Sequence, residues 1–227
     1  MKISRCMNPS GHRVTGSERK KSFKKNIDYH YTKKYVIVNV QYQISFGKKL
    51  IGAVRGGTYG KDVADVKKRR LRTPGKKKIC FTASCGGHME QLMMLAPLMK
   101  EFESFIVTEK TRYEIDIQGF RVYKVPQTNR REIFFPLKFV VNMLISLVIL
   151  LKEKPDIVIS TGALATVPIC ILAKKIGKKL IYIESFARVT SPNMTGKILY
   201  RYADQFYVQW ESMLDVFPKA QCLGAIY

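Results

Sequence analysis

From Lys78 onward, short apolar segments alternate with stretches of helical periodicity, and that alternation restricts the chain to one class of fold. Apolar strands are predicted at 78–83, 104–108, 121–125, 156–160, 179–184 and 205–209. Between most of them the spacing of apolar residues predicts helices over 88–102, 134–152, 164–176, 194–202 and 211–217. Strands that are apolar on both faces and separated by helices call for a parallel sheet covered on both sides. Right-handed crossovers then make a doubly wound, Rossmann-like α/β domain. Ligands of such sheets bind beyond the carboxyl ends of the strands. Here that edge collects 84–88, 108–110, 160–163, 184–188 and 209–210.

The first of these turns is Ser84-Cys85-Gly86-Gly87-His88. A strand, a glycine turn and a helix leave backbone N–H groups at the helix start that suit an anion. Gly86 and Gly87 let a bulky ligand approach the main chain, so a phosphate or diphosphate is the favoured ligand, with Ser84 beside it. The turn is neither the G-x-G-x-x-G fingerprint nor a Walker loop, and such a glycine pair also serves purely structural ends. His88 is placed to bind phosphate or to act as acid or base near neutral pH; capping the helix is the competing role. Thr161 and Gly162, after Ser160, form a second turn of the same kind, which also reads as an ordinary N-cap.

Glu184 ends an apolar strand, where it is a base for a sugar hydroxyl or the ion-pair partner of Arg188. Arg188 is a candidate diphosphate contact, as are Thr195 and Lys197 in the polar loop that leads into the next helix. Trp210, the single tryptophan, reads as an interface or pocket residue, with a core position as the alternative. No Ser-His-Asp, kinase, metal-ligand or D-x-D arrangement is visible, so no metal and no cofactor are expected.

The 227 residues, 46% hydrophobic, suit one domain with an appendage. The formal net charge of +23 is unevenly placed: residues 1–78 hold 22 Lys/Arg against 4 Asp/Glu, whereas residues 79–227 hold 18 against 13. Residues 1–77 therefore read as a basic, poorly structured extension, in which 35–46 has the pattern of one or two strands. Basic runs bind nucleic acid or anionic lipid, the latter at about 1 kcal/mol per Lys or Arg; a solvated tail is the bland reading. Five cysteines without a C-x-x-C point to reduced thiols in a cytosolic setting. There is no secretory signal, and no run reaches the roughly 18–20 apolar residues of a spanning helix. The nearest candidate, residues 139–151, is interrupted by Asn142 and Ser146 and reads as a buried or membrane-surface helix.

Several stretches taken together resemble a known family. They are S-x-G-G-H at 84–88, Glu90-Gln91-Leu92, the run from Lys154 to Gly162, the long segment Tyr182–Tyr200, Ala203–Trp210 and Phe217–Gly224. This pattern is similar to the asparagine-linked glycosylation protein fourteen family and its bacterial capsule and exopolysaccharide counterparts, the glycosyltransferase accessory or enhancer subunits. The resemblance covers about two thirds of the chain. It implies that residues 78–227 are the N-terminal, acceptor-binding half of a GT-B glycosyltransferase made as a separate polypeptide. It further implies a partner subunit carrying the UDP-sugar-binding half, a polyprenyl- or dolichyl-diphosphate-linked saccharide as acceptor, and a position on the membrane. From composition, the 134–151 segment and the basic surface are expected to attach the chain peripherally to its cytoplasmic face. The eukaryotic members usually begin with a transmembrane helix, which residues 1–77 lack. The bacterial members usually begin near the position of Lys78.

About 150 residues is one Rossmann-like half rather than a two-domain enzyme, so this chain is expected to be a subunit that does not catalyse alone. Two alternatives remain open at this point. One is a stand-alone UDP-sugar transferase. The other is a nucleic-acid-binding protein acting through residues 1–77, against which count the near-even charge of the remainder and the lack of any nucleic-acid motif.

Overall fold

The computed structural model of the chain describes residues 77–111, 117, 119–222 and 224–226, together with Ile37, Val40 and Gln41. Seven strands form one sheet: β1 (Lys78–Ala83), β2 (Glu103–Glu109), β3 (Arg121–Val125), β4 (Ile157–Ser160), β5 (Lys179–Ile183), β6 (Gln205–Val208) and β7 (Gln221–Cys222). Their order is β3-β2-β1-β4-β5-β6-β7, and every pairing is parallel. The order reverses between β1 and β4, which makes that junction the topological switch point of a doubly wound sheet.

The twofold periodicity of the strands divides the core between two faces. Ile79, Phe81 and Ala83 of β1 join Ile106, Ile157, Ile159, Ile181 and Ile183 on one face. That face is covered by helices α1 (Gly87–Met93) and α2 (Ala96–Glu101), through Leu92, Leu95, Leu98 and Met99. Cys80, Phe105, Val107, Val158, Leu180, Tyr182 and Phe206 point to the other face. There they meet α3 (Phe135–Glu153) and α4 (Val167–Lys175) through Ile149, Leu150, Ile169, Cys170 and Ala173. A short α5 (Met194–Leu199) and two 3₁₀ turns, Leu164–Thr166 and Glu211–Leu214, complete the elements from Lys78 onward.

The expected 88–102 helix is two helices, because Pro97 lacks an N–H and its ring clashes with the carbonyl of the preceding turn. Val167–Lys175 starts later than the expected 164–176 helix, after a 3₁₀ turn and with Pro168 in its first turn. The 211–217 segment is a 3₁₀ turn rather than a helix, and β7 is a strand that the pattern did not predict. The strand expectation for 35–46 is corrected where that segment is described. Ile37, Val40 and Gln41 are helical, at i, i+3 and i+4 spacing, and Val40 is fully buried in the α1–α2 core. Burial on that face outweighs the β preference of the Val/Ile-rich run. The remainder of the 1–77 extension lies outside the described residues apart from Lys77.

Helix α3 has two unlike faces. Asn142, Ser146, Ile149, Leu150 and Glu153 are buried against the domain. Leu137, Val140, Leu144, Val148 and Leu151 are between 51% and 63% exposed, and Ile133 and Phe134 just before the helix are 90% and 67% exposed. Pro136 does not break the helix because it sits in the first turn, so the helix reaches 19 residues. Among the described residues it is the one helix long and apolar enough to cross a membrane, although 22% of its apolar window is buried in the protein. At its C-terminal end Glu153 receives Lys78 at 2.6 Å and Arg121 at 2.7 Å, with the Tyr123 hydroxyl also donating to it, which ties α3 to β1 and β3.

Candidate functional site

A cleft of about 680 Å³ opens beyond the carboxyl ends of the strands at the switch point. Ser84 follows β1, Glu109 ends β2, Ala163 and Leu164 follow β4, and Asn193 and Thr195 flank the start of α5; all line it. His88 of α1 forms part of the wall, and residues 127–131 after β3 form another part.

The turns after β1 and β4 are stitched together. Ser84 N donates to Gly162 O at 3.3 Å, and Thr161 N donates to Thr82 O at 3.1 Å. His88 Nδ1 lies 2.8 Å from Thr161 O, while Thr161 Oγ1 donates to His88 O at 2.9 Å. A carbonyl oxygen only accepts, so Nδ1 carries the proton and Nε2 is the basic nitrogen of the neutral ring. Burial lowers the His88 pKa, the Thr161 hydrogen bond opposes that, and the charge of Arg188 lowers it further. Gly162 has φ +107°, and a Cβ there would stand 3.0 Å from the imidazole Cε1 and 3.3 Å from the Tyr182 hydroxyl. Only glycine lets ring and strand approach so closely.

Gly86 caps α1 at φ 80°, and its carbonyl accepts from Met89 N and Glu90 N. A side chain at Gly87 would meet nothing within 4 Å. Both glycines are exposed beside the cleft.

Glu184 is fully buried and is not part of the cleft wall. Its Oε1 accepts from Asn193 Nδ2 at 2.6 Å and from Ser185 N at 2.8 Å, and its backbone carbonyl accepts from Gln91 and Gln209 side chains. Oε2 has no hydrogen-bond partner among the described residues, and burial pushes the carboxyl up to about 7. The expected ion pair with Arg188 is not formed: Arg188 is exposed, and the carboxylate holds Asn193 instead. Asn193 is thereby fixed at both ends, since its Oδ1 caps α5 by accepting from Gly196 N at 2.5 Å.

Of the residues predicted from sequence, Ser84, His88 and Thr195 meet in the cleft. Thr161 and Gly162 are buried behind His88, where they seat its ring. Lys197 and Arg188 are exposed and lie outside the wall. Trp210 is half-buried, donates from Nε1 to Phe186 O at 2.7 Å, and packs its ring on Phe186 with centroids 4.9 Å apart. Sequence reasoning missed Asn193 and residues 127–131. The latter carry no periodic pattern, but they follow the carboxyl end of β3 and so belong to the edge where ligands bind. No group of three or more His, Cys, Asp or Glu able to hold a metal occurs among the described residues.

The strand order, the crossover between β1 and β4 and the cleft beyond it define a doubly wound, Rossmann-like α/β domain with its ligand edge at the switch point. The family model described as "Oligosaccharide biosynthesis protein Alg14 like" matches residues 98–226, and the chain belongs to that family. It is 40% identical over 91 residues to the human UDP-N-acetylglucosamine transferase subunit ALG14, covering 37% of this chain and 42% of that protein. The protein of the same name from Yarrowia lipolytica is 23% identical over 175 residues, covering 66% of this chain and 81% of that one. The match therefore spans less than half of the human relative's length. Among solved structures, MurG from Acinetobacter baumannii superposes with a TM-score of 0.52 at 18% identity, over 60% of this chain and 42% of MurG. The UDP-N-acetylglucosamine 2-epimerase from Rickettsia bellii gives 0.52 at 15% identity, over 66% of this chain and 45% of the epimerase. At such identities the likeness concerns the fold.

Proposed function

We propose that this chain is the acceptor-binding, membrane-docked subunit of a two-part UDP-sugar transferase acting on a lipid-diphosphate-linked saccharide. The observation that carries the reading is the His88 ring, locked by Thr161 in a cleft at the switch point. Residues 78–227 would serve as one half of a GT-B enzyme, and a partner glycosyltransferase subunit would bring the UDP-sugar across the cleft. Transfer would invert the anomeric centre: the acceptor hydroxyl gives its proton to a base, its oxygen bonds to the sugar C1, and UDP leaves. His88 Nε2 is the base this chain offers, because Nδ1 is committed to Thr161. Glu184 is a positioning residue for Asn193, which lines the same cleft.

Ser84 and Thr195 in the cleft, with the exposed Gly86–Gly87 turn beside it, are suited to the acceptor diphosphate. Arg188 and Lys197, exposed outside the wall, would contribute charge rather than contact. Trp210 with Phe186 offers an aromatic surface for the partner subunit. The outward face of α3 is suited to peripheral attachment at the cytoplasmic side of the membrane.

The test is UDP-sugar turnover on a lipid-diphosphate acceptor, with this chain alone and then with its partner. Activity only in the mixture, reduced by Gly87→Leu, supports the subunit reading; turnover by this chain alone overturns it. Acceptors from lipid-linked oligosaccharide and from capsular polysaccharide assembly, compared side by side, decide which glycan is served.

A further inference from the structure

The loop after β3 carries an arrangement that the reading above does not use. Arg130 and Arg131 are exposed at the wall of the cleft, and neither has an ion-pair partner among the described residues. The neighbouring acid, Glu132, is already neutralised by Lys138. Asn129 shapes the loop: its Oδ1 accepts from Arg131 N at 3.1 Å and its carbonyl accepts from Glu132 N at 3.1 Å. Thr128 in the same wall is 9% exposed, and its hydroxyl has no hydrogen-bond partner among the described residues. A buried hydroxyl left without a partner is costly and points to a ligand that supplies one. The single carboxylate in the wall, Glu109, belongs to β2, so the loop itself presents only donors and amides.

Two residues beyond Arg131, the chain turns fully apolar and exposed at Ile133 and Phe134 and continues into the outward face of α3. Cationic forks and an apolar wedge thus occupy one short segment, the cleft on one side and the exposed helix face on the other. Arginine reads phosphate through paired N–H donors, which Lys does not.

We propose that Thr128, Arg130 and Arg131 form the diphosphate-binding hook for a lipid-linked ligand whose hydrocarbon chain lies along Ile133, Phe134 and the outward face of α3. The inference rests on the acceptor-binding reading and deepens it by assigning the recognition element. The hook fixes the depth at which the diphosphate sits, because the same loop is anchored in the bilayer interface two residues later.

The experiment is binding of the full chain to phosphatidylcholine vesicles doped with a long-chain polyprenyl diphosphate, against vesicles brought to the same surface charge with phosphatidylglycerol. Arg130→Gln/Arg131→Gln is expected to lower binding to the diphosphate vesicles at least tenfold while changing phosphatidylglycerol binding less than threefold. Arg130→Lys/Arg131→Lys should recover only part of the loss, and millimolar pyrophosphate should compete only weakly because it lacks the chain. Equal losses on both vesicle types, or full recovery with lysine, would reduce the pair to general surface charge and overturn the hook. A wild-type preference for the diphosphate that survives in the glutamine variant would overturn the hook and leave the acceptor-binding reading standing. No wild-type preference at all would overturn that reading itself. Pyrophosphate competing as well as the vesicles would show a soluble phosphate site in place of a lipid-linked one.

Discussion

His88 and Thr161 hold each other by two reciprocal hydrogen bonds, ring nitrogen to carbonyl and hydroxyl to carbonyl, across the switch point of the sheet. The pair fixes both the tautomer and the orientation of the imidazole before any ligand arrives. Because burial lowers the His88 pKa, the folded protein resists protonating it. A depressed histidine pKa contributes stability above the unfolded value near 6.5, and that contribution is lost as pH falls below it. The imidazole resonances of His88 should therefore titrate below pH 6.5 in NMR spectra. A midpoint at or above 6.5 would contradict the seat described here.

Thr161→Val keeps the shape of the side chain but removes its bond to the His88 carbonyl. The expected loss is about 1 kcal/mol, read as a shift of the denaturant midpoint. The His88 titration should also broaden or move, since one of the two constraints on the residue is gone.

Gly196 and Glu184 are in direct contact, and a Cβ at position 196 would fall 2.1 Å from Glu184 Oε2. Gly196→Ala should cost about 1–3 kcal/mol through this overlap. In a Glu184→Ala background the same change should cost much less, so a double-mutant cycle will show strong non-additivity. Additive effects would mean that the glycine is required for another reason.

Glu184 also predicts a pH dependence of stability. Burial raises its carboxyl to about 7, so its contribution is fully present below the unfolded value of 4.5 and is lost as pH rises through 7. Glu184→Gln mimics the neutral form and should flatten the decline between pH 5 and 8 in thermal melts. A decline as steep as the wild type's would assign it to another group.

Glu153 behaves in the opposite sense. Burial alone would raise its pKa, but hydrogen bonds from Lys78, Tyr123 and Arg121 outweigh burial and hold it at about 2. Its stabilisation is present above 4.5 and is lost as pH falls towards 2. Glu153→Gln should be less stable than wild type at pH 7, and the gap should close in acid. A constant gap from pH 7 to pH 2 would show that charge is not the source.

Replacing Leu137 and Leu144 by Glu should leave the melting temperature within a few degrees, because both side chains are more than half exposed. Vesicle flotation of the same variant should fall at least tenfold if the outward face of α3 meets lipid. Unchanged flotation would move membrane attachment elsewhere on the protein.

Much of the sheet is legible because its central strands are apolar on both faces, as in β1 with Ile79 and Phe81 on one side and Cys80 on the other. The glycine turn and His88 are legible because they follow such a strand directly. Pro97 was hidden inside an otherwise regular helical pattern, and the two residues of β7 are too few to show any pattern. Glu184 reads from sequence as a base at the mouth of the sheet or a partner of Arg188, because its position at a strand end says nothing of Asn193 and Gly196 closing over it. Arg130 and Arg131 escaped notice because a loop has no period; only the edge of β3 locates them.

The pairing of β1 with β4 has a kinetic consequence. The seat of His88 is supplied by a residue 73 positions later, so it cannot form until the strand carrying Thr161 has been made and has joined the sheet. Closing so long a loop makes this a slow, non-local step compared with the formation of α1 alone. Fragments that end before Ile157 would keep the glycine turn but lack the carbonyl that orients the imidazole. Competence to act should thus appear late and all at once during synthesis.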